Sequence, residues 1–230
     1  MNIMTSETTE NMETTSLRTQ SDVKTKISKK VYIKIKRVID VILASIALIL
    51  LSPLFAIIAI AIKIDSKGPV FFAHKRIGKN GKIIKLYKFR SMVINAEELI
   101  KSFTPDQMKE YKENYKLTND PRITKVGKFL RKTSLDELPQ LINIINGDLS
   151  IIGPRPVVAD ELEKYGTNKD KFLSVTPGLT GYWAANGRSN TTYEQRMEME
   201  LYYIDNLSLK MDIKVFFKTI LSVVKKEGAM

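Results

Sequence analysis

Charge vanishes from the chain between Val41 and Ile62. As one helix this run would measure roughly 33 Å, enough to span a bilayer. Ser52-Pro53 interrupts it near the middle, and a proline there removes a helical hydrogen bond and costs about 3 kcal/mol unless the chain bends. The arm from Val41 to Ser52 covers only roughly 18 Å, about half the membrane. Cations crowd both flanks: Lys24, Lys26, Lys29, Lys30, Lys34, Lys36 and Arg37 before the run, Lys63, Lys67, Lys75, Arg76 and Lys79 after it. The positive-inside rule puts both flanks on the cytoplasmic side. The pattern predicts a helix that enters, breaks at Ser52-Pro53 and returns, with the Ser52 hydroxyl bonding a carbonyl freed by the bend. A kinked single span is the alternative that the residues leave open.

Pro69 to Phe89 reads as a β-hairpin turned by Asn80-Gly81. Its strands set Lys75, Arg76, Lys82, Lys85, Lys88 and Arg90 among Ile83, Ile84, Leu86, Tyr87 and Phe89. Such a ribbon suits a lipid headgroup layer, and a solvated face equally well. Asn95 to Leu117 is helix-compatible with a break at Thr104-Pro105, and Leu135 to Asn146 is a short apolar helix closed by Gly147. Near the C-terminus Met211, Ile213, Phe216, Phe217, Ile220, Leu221 and Val224 form one stripe, with Lys210, Lys214, Lys218 and Lys225 opposite. That helix either lies in a membrane interface or turns its stripe to the core. Residues 1 to about 23 are rich in Thr, Ser, Glu and Asn and poor in large apolar side chains, which predicts a disordered tail. Its start lacks the basic and apolar regions of a secretory signal.

The net charge of +12 changes the picture toward a polyanionic partner: phospholipid, nucleotide or nucleic acid. With no cysteine, thiolate nucleophiles and disulfides are excluded, and a single histidine argues against a histidine-rich zinc site or a Ser/His triad. His74, beside Lys75 and Arg76, is expected at the solvent surface. Chemistry must come from carboxylates, hydroxyls, Lys, Arg or a hard metal ion.

Three segments offer it. In Leu130-Arg131-Lys132-Thr133-Ser134-Leu135-Asp136-Glu137-Leu138-Pro139-Gln140, two adjacent acids follow a basic, hydroxyl-rich approach. Pro139 demands a helix start close by, and Ser134 with Glu137 fits a capping box, which is a purely structural reading. A helix N-terminus, with Arg131 and Lys132 alongside, also keeps a carboxylate ionised, as a nucleophile or a magnesium ligand requires. Gly153-Pro154-Arg155-Pro156 fixes one arginine between two prolines, as a rigid loop or a preset phosphate fork. Pro177-Gly178-Leu179-Thr180-Gly181-Tyr182-Trp183, followed by Asn186-Gly187-Arg188, is a Gly-rich aromatic loop suited to a base or sugar; it lacks the P-loop pattern and follows no clear strand.

Together these segments resemble the bacterial sugar transferase family, the monotopic phosphoglycosyl transferases. The likeness covers about Lys36 to Lys225 and includes Lys36-Arg37-Val38-Ile39-Asp40, Ser52-Pro53, Lys88-Phe89-Arg90-Ser91-Met92 and Asp120-Pro121-Arg122-Ile123-Thr124. It continues through Thr133 to Gln140, Gly153-Pro154-Arg155-Pro156 and Asn186-Gly187-Arg188. The resemblance implies an α/β (α+β) cytoplasmic catalytic domain with an N-terminal re-entrant membrane helix-hairpin and interfacial amphipathic helices. On that basis 1–30 is a polar and basic tail, 31–66 the re-entrant helix and 67–230 the catalytic domain. Larger members carry extra transmembrane helices ahead of this core, so the chain looks like a minimal form.

The implied reaction moves a hexose 1-phosphate from a UDP-sugar to undecaprenyl phosphate, releasing UMP, in exopolysaccharide or capsule synthesis at the cytoplasmic face of a bacterial membrane. By the same resemblance Asp136 is the nucleophile that forms a covalent phosphosugar, and Glu137 completes the dyad. Both are associated with Mg2+, while Arg131, Arg155 and Arg188 lie near the phosphates. Ser52 and Pro53 are the membrane-turning motif. Many members have a glutamine after the tryptophan, where this chain has Ala184, which leaves sugar choice open. Membrane phospholipid is the expected surface, with no nucleic acid partner; a homodimer is compatible with all of this. The competing readings are a membrane-tethered nucleic-acid-binding protein, for which no helix-turn-helix, zinc-finger or RRM signature is present, and a non-catalytic assembly scaffold.

Overall fold

The computed structural model describes residues 29–114, 117–187 and 191–224. The expected tail, but for Lys29 and Lys30, lies outside them. Helix α1 (Lys29–Leu50) and helix α2 (Ser52–Asp65) meet at a 60° bend. Pro53 has no N–H to give the carbonyl of Ile49, four residues back. The Ser52 hydroxyl donates to that carbonyl at 2.8 Å, as the sequence suggested. The ladder then resumes with Phe55 N–H bonding the Leu51 carbonyl at 2.9 Å. The first arm is longer than the apolar run implied. Lys30, Lys34, Lys36 and Arg37 are helical residues of α1 rather than a flank. No single described helix is long and apolar enough to cross a membrane, although the bent pair is so jointly.

Each arm has an inner and an outer face. Asp40 and Ala44 of α1 and Ile58 and Ile62 of α2 are buried, while Ile42, Ile46, Ile49, Leu50, Ile57, Ile60 and Ile64 are exposed. Ala44 joins Ile84, Leu86, Leu141, Ile144 and Leu149 in one core cluster. Ile58 and Ile62 join Phe89 and Leu130 in another. The inner faces of α1 and α2 are therefore part of the domain's core.

Strands β1 (Phe71–Ile77) and β2 (Ile83–Phe89) pair antiparallel, from Phe71 opposite Phe89 to Ile77 opposite Ile83. Asn80 (φ 56°) and Gly81 (φ 77°) both adopt the left-handed conformation that an Asn-Gly hairpin turn needs. Helix α5 (Gln140–Asn146) covers the hairpin through Asn143. The Asn143 amide donates to the Lys85 carbonyl at 2.7 Å and accepts from Tyr87 N–H at 2.9 Å, in the place a third strand would take.

The break expected at Thr104-Pro105 is present. A 3₁₀ turn over Glu98–Ser102 precedes it and helix α3 (Pro105–Asn114) follows. Helix α4 (Lys125–Thr133) starts on Thr124, whose hydroxyl accepts from Gly127 N–H at 3.0 Å, and on Asp65, which accepts from Val126 N–H at 2.9 Å. The capping box expected at Ser134 is absent. Ser134 has φ 56° and ends α4 as its C-cap, so the acids sit in a 3₁₀ turn, Leu135–Glu137, between α4 and α5. The single apolar helix expected from Leu135 is thus split, and only Gln140–Asn146 is α-helical, closed by Gly147 at φ 87°.

Strand β3 (Ser150–Ile152) pairs in parallel with β4 (Gly178–Thr180), across helices α6 (Ala159–Glu163) and α7 (Lys169–Leu173). The stretch from Gly178 is therefore a strand, contrary to the loop expected. A Cβ on Gly178 would come within 2.1 Å of Gly153 N, and one on Gly181 within 2.1 Å of Gly153 O, so these glycines permit close packing. Helices α8 (Tyr182–Asn186), α9 (Tyr193–Asp205) and α10 (Leu209–Val224) complete the fold, with Ile152, Val157, Tyr165, Phe172, Ala185, Tyr203, Ile204 and Val215 as their core.

α10 packs inward through Asp212, Val215 and Ser222. Ile213, Phe216, Phe217, Ile220 and Leu221 are exposed, so the core-facing option for its stripe does not hold. The described protein is a mixed helix and sheet fold with two two-stranded sheets.

Candidate active site

Asp136 and Glu137 lie where α4, the end of β2 and the β3 turn converge. β2 brings Lys88, whose Nζ is 2.7 Å from Glu137 Oε1. Gly153-Pro154-Arg155-Pro156 brings Arg155, with Nη2 3.8 Å from the same oxygen. α4 brings Arg131, held by a bond from its Nε to the Ser91 hydroxyl at 2.9 Å. The structure thus gathers four of the sequence-predicted residues, Asp136, Glu137, Arg131 and Arg155, and adds Lys88. Ser52 and Pro53 stand apart from them at the α1–α2 bend, and Arg188 lies outside the described residues.

Asp136 departs from the expected electrostatics. Its carboxyl is pushed above the usual aspartate range, first by burial and then by the charge of Glu137, while Lys88 and Arg131 oppose the rise. The expectation of a freely ionised carboxylate overlooked desolvation, which disfavours the charged form. Burial likewise lowers Arg131, against the pull of Asp136. His74 is half-buried rather than solvent-facing. Desolvation, followed by the charges of Arg76, Lys88 and Arg155, lowers it to about 4, so it is neutral near pH 7. Beside it Arg76 pairs with Glu161 at 3.3 Å. Three cationic side chains, Lys88, Arg131 and Arg155, thus flank the two acids.

Several motif residues support this centre from behind. Arg122 forks onto Asp120, with Nε to Oδ1 at 2.8 Å and Nη2 to Oδ2 at 2.6 Å, and lies over Phe103 and Tyr111. The loop so fixed pairs with Ser91 to Val93, which includes the serine that holds Arg131. Asp40 accepts from the Ser150 hydroxyl at 2.7 Å and from Ile151 N–H at 3.1 Å, anchoring β3 to α1. Arg37 donates to the carbonyls of Ile144 and Ile145, where α5 ends and cations are favoured. Trp183, in the loop expected to suit a base or sugar, donates to Thr191 at 2.7 Å and lies under the Arg196 guanidinium.

Sequence reasoning left Lys88, Asp40 and Arg37 without roles. For Lys88 a signal existed: it falls in step with the inward-facing Ile84 and Leu86 at strand spacing.

An arrangement of this kind can bind a diphosphate and present a carboxylate to it. Hard oxygen donors suit Mg2+, which is often held by one or two carboxylates plus substrate phosphates. Among the described residues there is no group of three or more acids or histidines that could hold a metal ion.

The profile of the family described as bacterial sugar transferase matches residues 31–226. The exopolysaccharide production protein ExoY of Rhizobium meliloti is 47% identical over 197 residues, covering 84% of this chain and 87% of the relative. The undecaprenyl-phosphate galactose phosphotransferase of Salmonella typhimurium is 43% identical over 198 residues, 85% of this chain and 41% of the relative. The UDP-glucose:undecaprenyl-phosphate glucose-1-phosphate transferase of Escherichia coli K12 is 42% identical over 195 residues, 81% of this chain and 39% of the relative. The chain spans about two-fifths of the length of the Salmonella and Escherichia relatives. With the match reaching from α1 to the end of α10, the chain belongs to the bacterial sugar transferase family.

Proposed function

We propose that the protein transfers a sugar 1-phosphate from a UDP-sugar to undecaprenyl phosphate through Asp136. The observation that carries this is the buried acidic turn ringed by Arg131, Lys88 and Arg155. A carboxylate oxygen of Asp136 attacks the sugar-bearing phosphorus, the bond to the bridging oxygen breaks, and UMP leaves with that oxygen. A phosphate oxygen of the lipid acceptor then attacks the same phosphorus, the bond to Asp136 breaks, and the carboxylate is restored. Two displacements let one site serve a soluble and then a lipid-borne phosphate.

Arg131 and Arg155 offset charge on the diphosphate, which otherwise repels an anionic nucleophile. Lys88 and Arg155 orient Glu137. Asp136 and Glu137 are the residues that would hold Mg2+, which when bound draws negative charge from the diphosphate. The names of the relatives support the substrates, and the fit of two acids within a cationic ring supports the chemistry. The exposed apolar faces of α1, α2 and α10 support a membrane-embedded, re-entrant pair, with α10 lying at the interface and the site on the cytoplasmic face.

The test uses detergent-solubilised full-length protein with UDP-galactose or UDP-glucose. With acceptor withheld, the peptide carrying Asp136 should gain the mass of a sugar phosphate, and D136N should gain none and release no UMP. Sustained transfer by D136N would remove the role given to Asp136.

A further inference from the structure

Glu200 is an acid with no place in the reaction as drawn, and its position calls for one. It lies on α9 with 1% of its surface exposed, beneath the Gly153–Pro156 turn. One carboxylate oxygen accepts the backbone N–H of Arg155 at 3.0 Å. The other, Oε2, is buried without a hydrogen-bond partner. Of Pro154, Arg155 and Pro156 only Arg155 has an amide hydrogen, so this bond is the one amide hold on the triplet. The prolines fix φ on either side of Arg155, and Pro156 also restricts Arg155 toward extended geometry. Gly153 N–H bonds Thr180 and the Pro154 carbonyl accepts from Gly178, both at 2.9 Å, which clamps the turn to β4.

We propose that Glu200 is a positioning residue for the transfer reaction: through the Arg155 amide it aims the Arg155 guanidinium at the donor diphosphate, and its charge tunes how strongly that guanidinium binds. The proposal rests on the reading of Asp136 and its cationic ring given above. A neutral glutamine could accept the same N–H, so the hydrogen bond alone does not require an acid. Leaving a buried carboxylate oxygen unsatisfied carries a desolvation cost that a purely structural site would avoid.

The groups facing Glu200 are Arg155 from the turn, Arg196 one helical turn earlier on α9, and Tyr165, whose hydroxyl is also buried without a partner. Arg196 lies over Trp183 and Tyr193, with Nη1 3.5 Å from Glu161, while its Nε and Nη2 are buried without a hydrogen-bond partner, as Glu200 Oε2 is. Burial pushes the Glu200 carboxyl up to about 7, against the Arg155 amide and the two guanidinium charges. Below that pH the side chain is neutral. Above it a negative charge stands behind Arg155, whose guanidinium faces Glu137 at 3.8 Å, and weakens its pull on phosphate, so donor affinity falls as pH rises.

The experiment is single-turnover UMP formation by full-length wild type, E200Q and E200A between about pH 5.5 and about pH 8.5, without acceptor, so that no titrating lipid phosphate intervenes. Wild type should show the donor KM rising about three- to tenfold through neutrality, and E200Q should hold its low-pH value throughout. E200A, without an acceptor for the Arg155 amide, should lose about tenfold or more in kcat/KM at every pH, with E200Q rescuing that loss. Parallel KM profiles for wild type and E200Q would overturn the proposal, as would wild-type kinetics in E200A. Should E200A fail to fold, the comparison of E200Q with wild type decides. Undiminished UMP formation by D136N would instead sink the Asp136 reading, and UDP-sugar dissociation constants over the same pH range would still report on Glu200.

Discussion

Lys88 occupies the point where the inner face of β2 meets the acidic turn, and its 2.7 Å contact with Glu137 joins two half-buried charges. A methionine there keeps the side-chain length and removes the cation that opposes the rise in Asp136. K88M should slow single-turnover UMP formation by about a hundredfold, in line with the loss of one fixed charge in a shielded site. K88R should recover part of that rate. Equal rates for K88M and wild type would show that Arg131 and Arg155 suffice. The same residue marks how far the site could be read in advance. Asp136, Glu137 and Arg155 stand out in short motifs, because adjacent acids and a Pro-flanked arginine are local patterns, and the resemblance to the family gave these and Arg131 their roles. Lys88 meets them only through the fold. Burial of Asp136 is also a property of the assembled site, so helix-terminus reasoning got the direction of its shift wrong.

At the scale of elements, α4 depends on a close approach that only glycine allows. A Cβ on Gly127 would lie 2.0 Å from the carbonyl oxygen of Ser91, and the neighbouring backbone atoms are 2.7 and 2.8 Å away. G127A must push α4 off the Ser91 strand end, and Ser91 is the residue that holds Arg131. The expected result is about 2 kcal/mol of lost stability, a drop of roughly 4–8 °C in Tm for a domain this size, together with slower UMP formation. A Tm within a degree of wild type would contradict the contact. The hairpin, the proline break and the helical periods were legible because each follows from its own residues. Orientation was not. The C-terminal stripe has the right period for either environment, and only the packing of Asp212, Val215 and Ser222 turns it outward. Ser134 and Glu137 satisfy a capping-box pattern, yet a helix ending at Ser134 satisfies the same residues.

For the molecule as a whole, α1 and α2 are part of the scaffold that holds the site. Arg37 binds the last carbonyls of α5, whose first turn follows Glu137. Asp40 binds β3, which leads into Arg155. Asp65 caps α4, which carries Arg131. Three of the elements around the site thus carry a polar contact from the bent helix pair, and two of the three core clusters contain its side chains. Tyr32 and Lys36 add bonds of 2.7 Å each to Asp212, which also accepts from Tyr203 at 2.6 Å. Removing residues 1–65 would open cavities at Ala44, Ile58 and Ile62 and strip partners from Ser150, Val126 and the end of α5. Losses of this kind sum to several kcal/mol, comparable with the whole stability of a domain. A chain beginning at Ser66 should therefore show no cooperative thermal transition and no UMP formation, in buffer or detergent alike. Fusing it to an unrelated membrane helix should restore membrane attachment but neither folding nor activity. A soluble, cooperatively melting fragment would show that the pair is only an anchor.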